Sequence, residues 1–220
     1  HVYNAPCVFE RVWDAVELAR ECRNAGYRAI VLKNHFYPTI EGAYLARKLV
    51  PGIETYGSVV LNPQVGGLNP WAADAAILLG AKTIWLGSMY AGTLSDKPFR
   101  SQYGWGKMVS SSHKWVARPT KRWMMHKPIN VIDLKTEKLL PEVHDIIELV
   151  AENDVILDTC HISKKECMIL IPEARRAGCR KILINHIHLR GITDRAFDPA
   201  VDQMLEESAW TIEEVKQMVK

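Results

Sequence analysis

The sequence lacks several features that would assign it to common functional classes. No apolar run is long enough to cross a bilayer, and no segment resembles a secretory signal peptide. The five cysteines include no CxxC pair, and their odd number does not suit a complete set of disulfides. We therefore predict free thiols, a cytoplasmic location and no membrane partner.

Nucleotide-binding signatures are also missing. The chain contains neither the dinucleotide fingerprint GxGxxG nor the phosphate-binding loop GxxxxGK[ST]. Composition is otherwise ordinary, with 48% hydrophobic residues, 24% charged residues and a formal net charge of +3. These values exclude a disordered or collagen-like chain. A chain of 220 residues can bury one sizeable core, so we predict a single domain over residues 1–220.

Predicted strands and helices alternate along the chain. Apolar, β-branched segments predict strands at 27–33, 53–61, 82–87, 130–134, 154–158 and 181–185. Helical patterns with suitable ends cover 9–25, 39–49, 70–79, 141–152, 163–177, 199–208 and 211–219. Their starts include Thr39 as a possible N-cap, Pro70 in a first turn and Ser163 with Glu166 as a capping box. This order predicts an α/β protein with a parallel sheet, either a barrel or an open doubly wound sheet.

The positions of the chemically active residues favour the barrel. They follow many different strands, as active groups do in (β/α)8 TIM-like barrels. We expect this barrel to be incomplete at its termini, because a first strand should precede or include His1 and no eighth strand is evident.

A long basic insertion, residues 90–128, follows the strand predicted at 82–87, which is the fourth when the expected strand at His1 is counted. Between Lys97 and Lys127 it contains eight lysines and arginines, three tryptophans and no acidic residue. Such a segment suits a lid over an anionic small molecule or a contact in a homo-oligomer. Nothing outside the segment supports a nucleic-acid groove, so we predict no nucleic-acid partner.

Histidines open the chain and follow three of the predicted strands: His1, His35, His161, His186 and His188. Side chains two residues apart on a strand point the same way, which pairs His1 with Tyr3 and Lys33 with His35. Each histidine alone is equally well explained as a hydrogen-bonded structural residue. Several of them arriving from separate strands favour a shared metal or catalytic site at the carboxyl edge.

Two further residues at the end of the strand 154–158 have alternative interpretations. Asp158 is a candidate base or a hydrogen-bond partner for a histidine. Cys160 is interpreted as a small residue that fills space at the strand end, with a catalytic thiol as the alternative.

Several stretches resemble a poorly characterised group of TIM barrels in the amidohydrolase superfamily. The resemblance covers most of residues 1–190 and is weakest in the basic insertion. The strand-end segments TCHIS and NH, at 159–163 and 185–186, are similar to that group's Thr-Gly-His-Leu-Ser and Thr-His-Pro stretches. The other matching stretches are NAPCVF (4–9), RAIVLKNHFYPT (28–39), GSVVLN (57–62), GGLNP (66–70) and GAKTIWL (80–86).

The resemblance implies a metal-dependent hydrolase. It would carry a divalent ion, which we predict to be zinc, with manganese, iron or nickel as alternatives. The implied metal ligands are His1, His35, His161 and His186. In such barrels the first strand usually ends in His-x-His, and Tyr3 replaces the second histidine here, which conflicts with a standard binuclear site. Lys33 is then either a carboxylated metal bridge or a cation that faces the substrate.

The implied reaction is attack of metal-activated water on an amide, lactam, lactone or ester. The candidate catalytic residues are Lys33, Tyr3, His188 and Asp158. Three alternatives remain open: a phosphoester hydrolase, a lyase or aldolase that forms a Schiff base on Lys33, and a barrel without catalysis that serves as a binding module. Tyr3 is the residue that favours the last of these.

Overall fold

The computed structural model describes residues 1–7, 11–88, 91, 128–185 and 210–218. Within these ranges the chain forms short parallel strands, each followed by a helix or a loop. The strands are β1 (Val2–Tyr3), β2 (Ala29–Lys33), β3 (Glu54–Tyr56), β4 (Ser58–Val60), β5 (Thr83–Trp85), β6 (Ile156–Asp158) and β7 (Ile182–Leu183). The α-helices are α1 (Ala15–Asn24), α2 (Ile40–Leu49), α3 (Pro70–Leu78), α4 (Pro141–Glu152), α5 (Lys164–Arg176) and α6 (Ile212–Met218).

These strands form two parallel sheets. The first has three strands in the order β1-β2-β3, and the second has four in the order β4-β5-β6-β7. The (β/α)8 barrel predicted from the sequence is therefore wrong: the described residues form two small parallel sheets and show no closed ring of eight strands. The coarser prediction, an α/β chain with parallel pairing, is confirmed.

The strand predicted at 130–134 does not form, and this accounts for part of the difference from the predicted barrel. β5 pairs directly with β6, with Thr83 opposite Ile156, so no strand lies between them. Residues 129–132 make only isolated bridges, and Asp133 then turns the chain by accepting hydrogen bonds from the backbone of Lys135 and Thr136. An aspartate that bonds its own following backbone favours a turn over an extended strand.

Gly57 divides the predicted strand at 53–61 into β3 and β4. A Cβ atom built at Gly57 would lie 2.5 Å from the Cα atom of Ile40, so the chain passes too close to the start of α2 for any side chain. β3 stays in the first sheet and β4 begins the second.

Hydroxyl groups join the two sheets beside this break. The backbone oxygen of Leu32, in β2, accepts hydrogen bonds from Thr39 Oγ1 at 2.8 Å and from Ser58 Oγ at 2.6 Å. Thr39 was predicted to cap α2, but its side chain makes no cap hydrogen bond there. Its hydroxyl instead connects β2 to the residue that opens β4.

Helix boundaries follow the capping residues. The helix predicted over 9–25 begins only at Ala15, because Asp14 and Glu17 form a capping box. The predicted box of Ser163 and Glu166 is present at the start of α5. Buried side chains from α1, α2 and β2 form one apolar core, and those from α3, α4, α5 and the second sheet form a larger one.

Some predictions lie outside the described residues. They include the helix at 199–208, most of the insertion at 90–128, and both histidines of the 186–188 pair. In the described parts of the chain, no helix combines the length and apolarity needed to cross a membrane.

Candidate active site

The carboxyl ends of four strands place polar and aromatic side chains next to one another. Tyr3 ends β1 and lies in register with Lys33, which ends β2. Trp85 ends β5 and lies in register with Asp158, which ends β6. Cys160 follows two residues later and contacts Lys33 across the two sheets. Carboxyl edges of parallel strands are where α/β proteins usually bind ligands.

Lys33 lies at the centre of this group, which we call the Lys33 cluster: Tyr3, Lys33, Trp85, Asp158 and Cys160. The Lys33 side chain is fully buried, with 0% of the residue exposed. Its Nζ atom donates to Sγ of Cys160 at 3.3 Å and lies 3.9 Å from the centre of the Trp85 ring. The aromatic face offsets part of the cost of burying this charge, by about 2 kcal/mol in a site without water.

Hydrogen-bonding capacity in the Lys33 cluster is only partly used. An ammonium group has three donors; Lys33 donates to Cys160, and its side chain also interacts with the Tyr3 hydroxyl. Oδ2 of Asp158 and Nε1 of Trp85 are both buried and have no hydrogen-bond partner in the described structure. Buried polar atoms are nearly always paired, so unmet donors and acceptors side by side indicate a place where a polar ligand binds.

Asp158 has the protonation behaviour of a neutral-pH acid or base. Burial raises its pKa to about 7, although the Lys33 charge and the Cys160 backbone N–H both lower it. Oδ1 accepts this N–H at 2.7 Å, which fixes the carboxyl group and leaves Oδ2 for another partner. A carboxyl group that titrates near neutrality suits proton transfer.

Lys33 stays charged despite its burial. Desolvation lowers its pKa, but interactions with the neighbouring acidic groups Cys160, Tyr3 and Asp158 raise it, and the pKa lies above its ordinary value. An ammonium group in this position would stabilise negative charge that develops on a bound carbonyl oxygen.

His35 is held neutral beside the cluster. Burial, together with the charges of Lys33 and Arg11, lowers its pKa to about 3. Nδ1 of His35 lies 3.1 Å from Oγ of Ser88. Asn62 connects both residues, because its amide donates to the His35 backbone oxygen and its carbonyl accepts from the Ser88 backbone N–H. These contacts fix the histidine ring before any ligand binds.

Aromatic rings form one wall of the site. The Tyr3 ring lies 5.5 Å from the His1 ring and 5.0 Å from the His35 ring, and the guanidinium of Arg11 lies 4.6 Å from its centre. Burial raises the pKa of Tyr3 more than the Lys33 charge lowers it, so the phenol stays protonated at neutral pH. Two cations on one tyrosine ring, Lys33 and Arg11, give this wall a positive character.

Cys160 has an unusual backbone conformation. Its φ angle of 51° lies in the left-handed region, which costs a residue other than glycine about 1 kcal/mol. The matching stretch of the amidohydrolase-like group has glycine here. The hydrogen bond from the Cys160 backbone to Asp158 stabilises this conformation, which directs the thiol towards Lys33.

Only some of the predicted metal ligands lie beside the Lys33 cluster. The His1 ring lies 4.7 Å from the Trp85 ring, and His161 is half-buried in the turn after β6. His186 and His188 lie outside the described residues. Among the residues that are described, no three histidine, cysteine or acidic side chains form a group suited to a metal ion. Because His186 lies outside these residues, the metal site stays a prediction.

A family model matches residues 1–211 of the chain. The chain belongs to this family, DUF6282, a family of unknown function. No curated protein matches the chain, and neither does any solved structure. Membership of DUF6282 names no reaction, so the similarity to amidohydrolases stays a hypothesis that rests on the sequence stretches.

Sequence reasoning about this DUF6282 member found Tyr3, Lys33 and Asp158 but missed other parts of the site. Trp85 lay inside the strand predicted at 82–87, whereas β5 ends at Trp85. Arg11 was placed in the helix predicted over 9–25, whereas it precedes α1. The contact between Cys160 and Lys33 joins residues 127 positions apart, which no local pattern could indicate.

Proposed function

We propose that the chain is a hydrolase that cleaves an ester, lactone or amide bond in a small anionic molecule. The observation that supports this most directly is the set of unmet hydrogen-bonding groups around Lys33. They combine a fixed cation, an N–H donor and a carboxyl group that titrates near neutral pH. Carbonyl hydrolysis requires these three functions.

Each group has a separate role in the proposed reaction. The free oxygen of Asp158 takes a proton from water as the water attacks the carbonyl carbon. The Lys33 ammonium and the Trp85 N–H stabilise the negative charge that forms on the carbonyl oxygen. Tyr3, protonated at neutral pH, donates a proton to the leaving group. Arg11, at the face of Tyr3, binds the anionic part of the substrate.

The experiment is a screen of the purified chain against carboxylate-bearing esters, lactones and amides. Asp158→Asn should lower kcat by about 10²-fold or more, since it removes the base. Asp154→Asn is the matched control, because Asp154 is a surface carboxylate paired with Lys181 and Arg180. Retention of full kcat by Asp158→Asn, or hydrolysis of no compound in the screen, would contradict the proposal.

A metal-assisted form of the same hydrolysis is the proposal that follows from the sequence resemblance. His161→Ala and His186→Ala should then each lose bound zinc and activity together. Elemental analysis of freshly purified protein measures the metal directly. Stoichiometric metal retained in both variants would remove these two histidines from the ligand set.

Schiff-base chemistry on Lys33 is the second candidate, favoured by the burial of its amine. The raised pKa of Lys33 favours the hydrolase instead, because a Schiff base requires the neutral amine. Borohydride treatment in the presence of pyruvate or small aldehydes distinguishes the two. Reduced adducts on Lys33 would support the lyase, and their absence would support the hydrolase.

The proposed cellular setting is the cytoplasm, with the chain acting as a homo-oligomer. All five cysteines are free, as reduced thiols in that compartment would be. Size-exclusion chromatography with light scattering measures the oligomeric state.

A further inference from the structure

Cys160 and Lys33 form a sulfur–nitrogen pair that is closed off from solvent. The two residues are 3% and 0% exposed, and Sγ and Nζ lie 3.3 Å apart. Hydrolysis as proposed above gives the thiol no role. We propose that a peroxide joins Cys160 and Lys33 covalently through a sulfenamide, a modification that blocks the site.

The chemistry balances with one equivalent of hydrogen peroxide. The Cys160 sulfur attacks one peroxide oxygen, the O–O bond breaks, and the products are a sulfenic acid and water. The Lys33 amine then attacks the sulfur, so that an N–S bond forms, the S–O bond breaks and a second water leaves. Overall, the sulfur loses two electrons, the peroxide is reduced to two waters, and the protein loses two hydrogen atoms.

The Lys33 cluster contains what this second step needs. Sγ of Cys160 accepts a hydrogen bond from Nζ of Lys33 at 3.3 Å, so the amine already lies against the sulfur that it attacks. Oδ2 of Asp158 is buried and has no hydrogen-bond partner in the described structure, so it can accept the proton that the amine releases.

The geometry restricts where the reactive atoms can go. The Cys160 backbone is held by Oδ1 of Asp158 at 2.7 Å, and the Trp85 ring lies 3.9 Å from Nζ. The amine is therefore held against the ring with the thiol as its hydrogen-bond acceptor. Rotation about side-chain bonds of Lys33 is enough to close the gap between nitrogen and sulfur.

Two other cysteines serve as internal controls. Cys167 and Cys179 are each 2% exposed, so they are as well shielded as Cys160. Burial raises the pKa of all three thiols, to about 12 for Cys167 and to about 11 for Cys179. Sγ of Cys179 donates to a backbone oxygen of Ile147. In the described structure neither thiol has a lysine within hydrogen-bond distance, so neither should form a bridge.

The test is mass spectrometry of the full chain after exposure to hydrogen peroxide and alkylation of the remaining thiols. We expect most molecules to lose the mass of two hydrogen atoms. A tryptic digest should show a peptide that continues uncleaved through Lys33 joined to the peptide that contains Cys160. A thiol reductant should restore the separate peptides.

The variants provide matched comparisons. Cys160→Ser and Lys33→Arg should form no bridge, whereas Cys179→Ser should form it as the wild type does. The decisive measurement is made on the wild type, so a variant that folds poorly does not affect it. Wild-type protein in which trypsin still cleaves after Lys33, with Cys160 unmodified or carrying only oxygen, would overturn the proposal.

The effect on activity rests on the proposed function, but the cross-link does not. If the chain is the hydrolase proposed above, peroxide should abolish hydrolysis and a thiol reductant should restore it. A bridge found in a chain that hydrolyses nothing would support the modification and contradict the hydrolase. The two proposals therefore fail separately.

Discussion

At the scale of single residues, burial shifts the pKa values of neighbouring groups in the site in opposite directions. Burial raises the pKa of Asp158 to about 7 and lowers that of His35 to about 3. Both shifts favour the uncharged form, as expected where water is excluded. Lys33 alone stays charged, because acidic groups surround it. The cluster therefore holds one permanent cation among groups whose charge depends on pH or on a ligand.

Asp158 should set the pH dependence of hydrolysis. The proposed base is active only when ionised, so kcat/KM should rise as pH increases through about 7.

Because burial raises the folded pKa of Asp158 above the unfolded value of 3.8, the folded state binds more protons between these two values. Ionisation of Asp158 therefore removes stability as pH rises from about 4 to 7. Asp158→Asn should abolish this loss in urea denaturation; an unchanged loss would contradict the assignment.

His35 should have the opposite effect in acid. Its folded pKa of about 3 lies below its unfolded value of 6.5, so the unfolded chain binds the proton first. The contribution of the neutral histidine is complete above pH 6.5 and is lost as pH falls towards about 3. His35→Gln should make the free energy of unfolding less sensitive to acid over this range. His144→Gln, on α4, is the control, and equal acid sensitivity of both variants would contradict the prediction.

At the scale of elements, local patterns predicted the helices and parallel strands well. Proline at the first turn predicted the start of α3, and the Ser163–Glu166 pair predicted the start of α5. Local patterns failed where a distant contact decides the structure. The break at Gly57 comes from the close approach of α2, and residues 130–134 do not form a strand because β5 and β6 pair directly. Periodicity within a segment contains no information about such neighbours.

The candidate site likewise combines features that local patterns predict with distant contacts that they do not. Its strand-end residues were predictable, because carboxyl ends of parallel strands meet at one edge. Their mutual contacts were not, since Lys33 meets Trp85 and Cys160 only through the arrangement of the two sheets. A count of histidines likewise could not show that His35 would be fixed by Ser88 and Asn62.

Two capping glutamates provide a prediction about element stability. Glu17 and Glu166 occupy the same position in the capping boxes of α1 and α5. Glu17 is exposed, whereas Glu166 is buried and its Oε1 also accepts the buried backbone N–H of Val131 at 2.8 Å. Glu17→Ala should change the free energy of unfolding by no more than about 0.5 kcal/mol. Glu166→Ala should lower it by about 2–4 kcal/mol, because it removes a cap and leaves that N–H unpaired.

Urea denaturation of the two variants measures this difference. A third variant, Glu166→Gln, keeps an oxygen for the Val131 N–H and should recover part of the loss. Equal destabilisation by Glu17→Ala and Glu166→Ala would mean that the contact with Val131 contributes nothing to stability.

At the scale of the whole molecule, function depends on how the two sheets meet. Tyr3 and Lys33 belong to the first sheet, and Trp85 and Asp158 belong to the second. Each sheet packs on its own large apolar core, and Val31 of β2 packs against a smaller cluster of Val60, Trp85 and Cys160. The distance across the site is therefore set by the contacts that connect the two sheets. The hydroxyl groups on the Leu32 oxygen are the best defined of these contacts among the described residues.

Removal of the Thr39 and Ser58 hydroxyl groups should impair catalysis, although neither group has a role in the proposed reaction. Thr39→Val should lower the free energy of unfolding by about 1–3 kcal/mol, because it leaves the buried Ser58 backbone N–H unpaired. Ser58→Ala should lower it by less, because Thr39 still donates to the Leu32 oxygen. The double variant should lose more activity than the product of the single losses, since both hydroxyls bond the same Leu32 oxygen. Thr136→Val removes an exposed hydroxyl in the turn after Asp133 and should change neither quantity. If the double variant is destabilised but keeps the wild-type kcat, the joint between the sheets does not position Lys33 against Asp158.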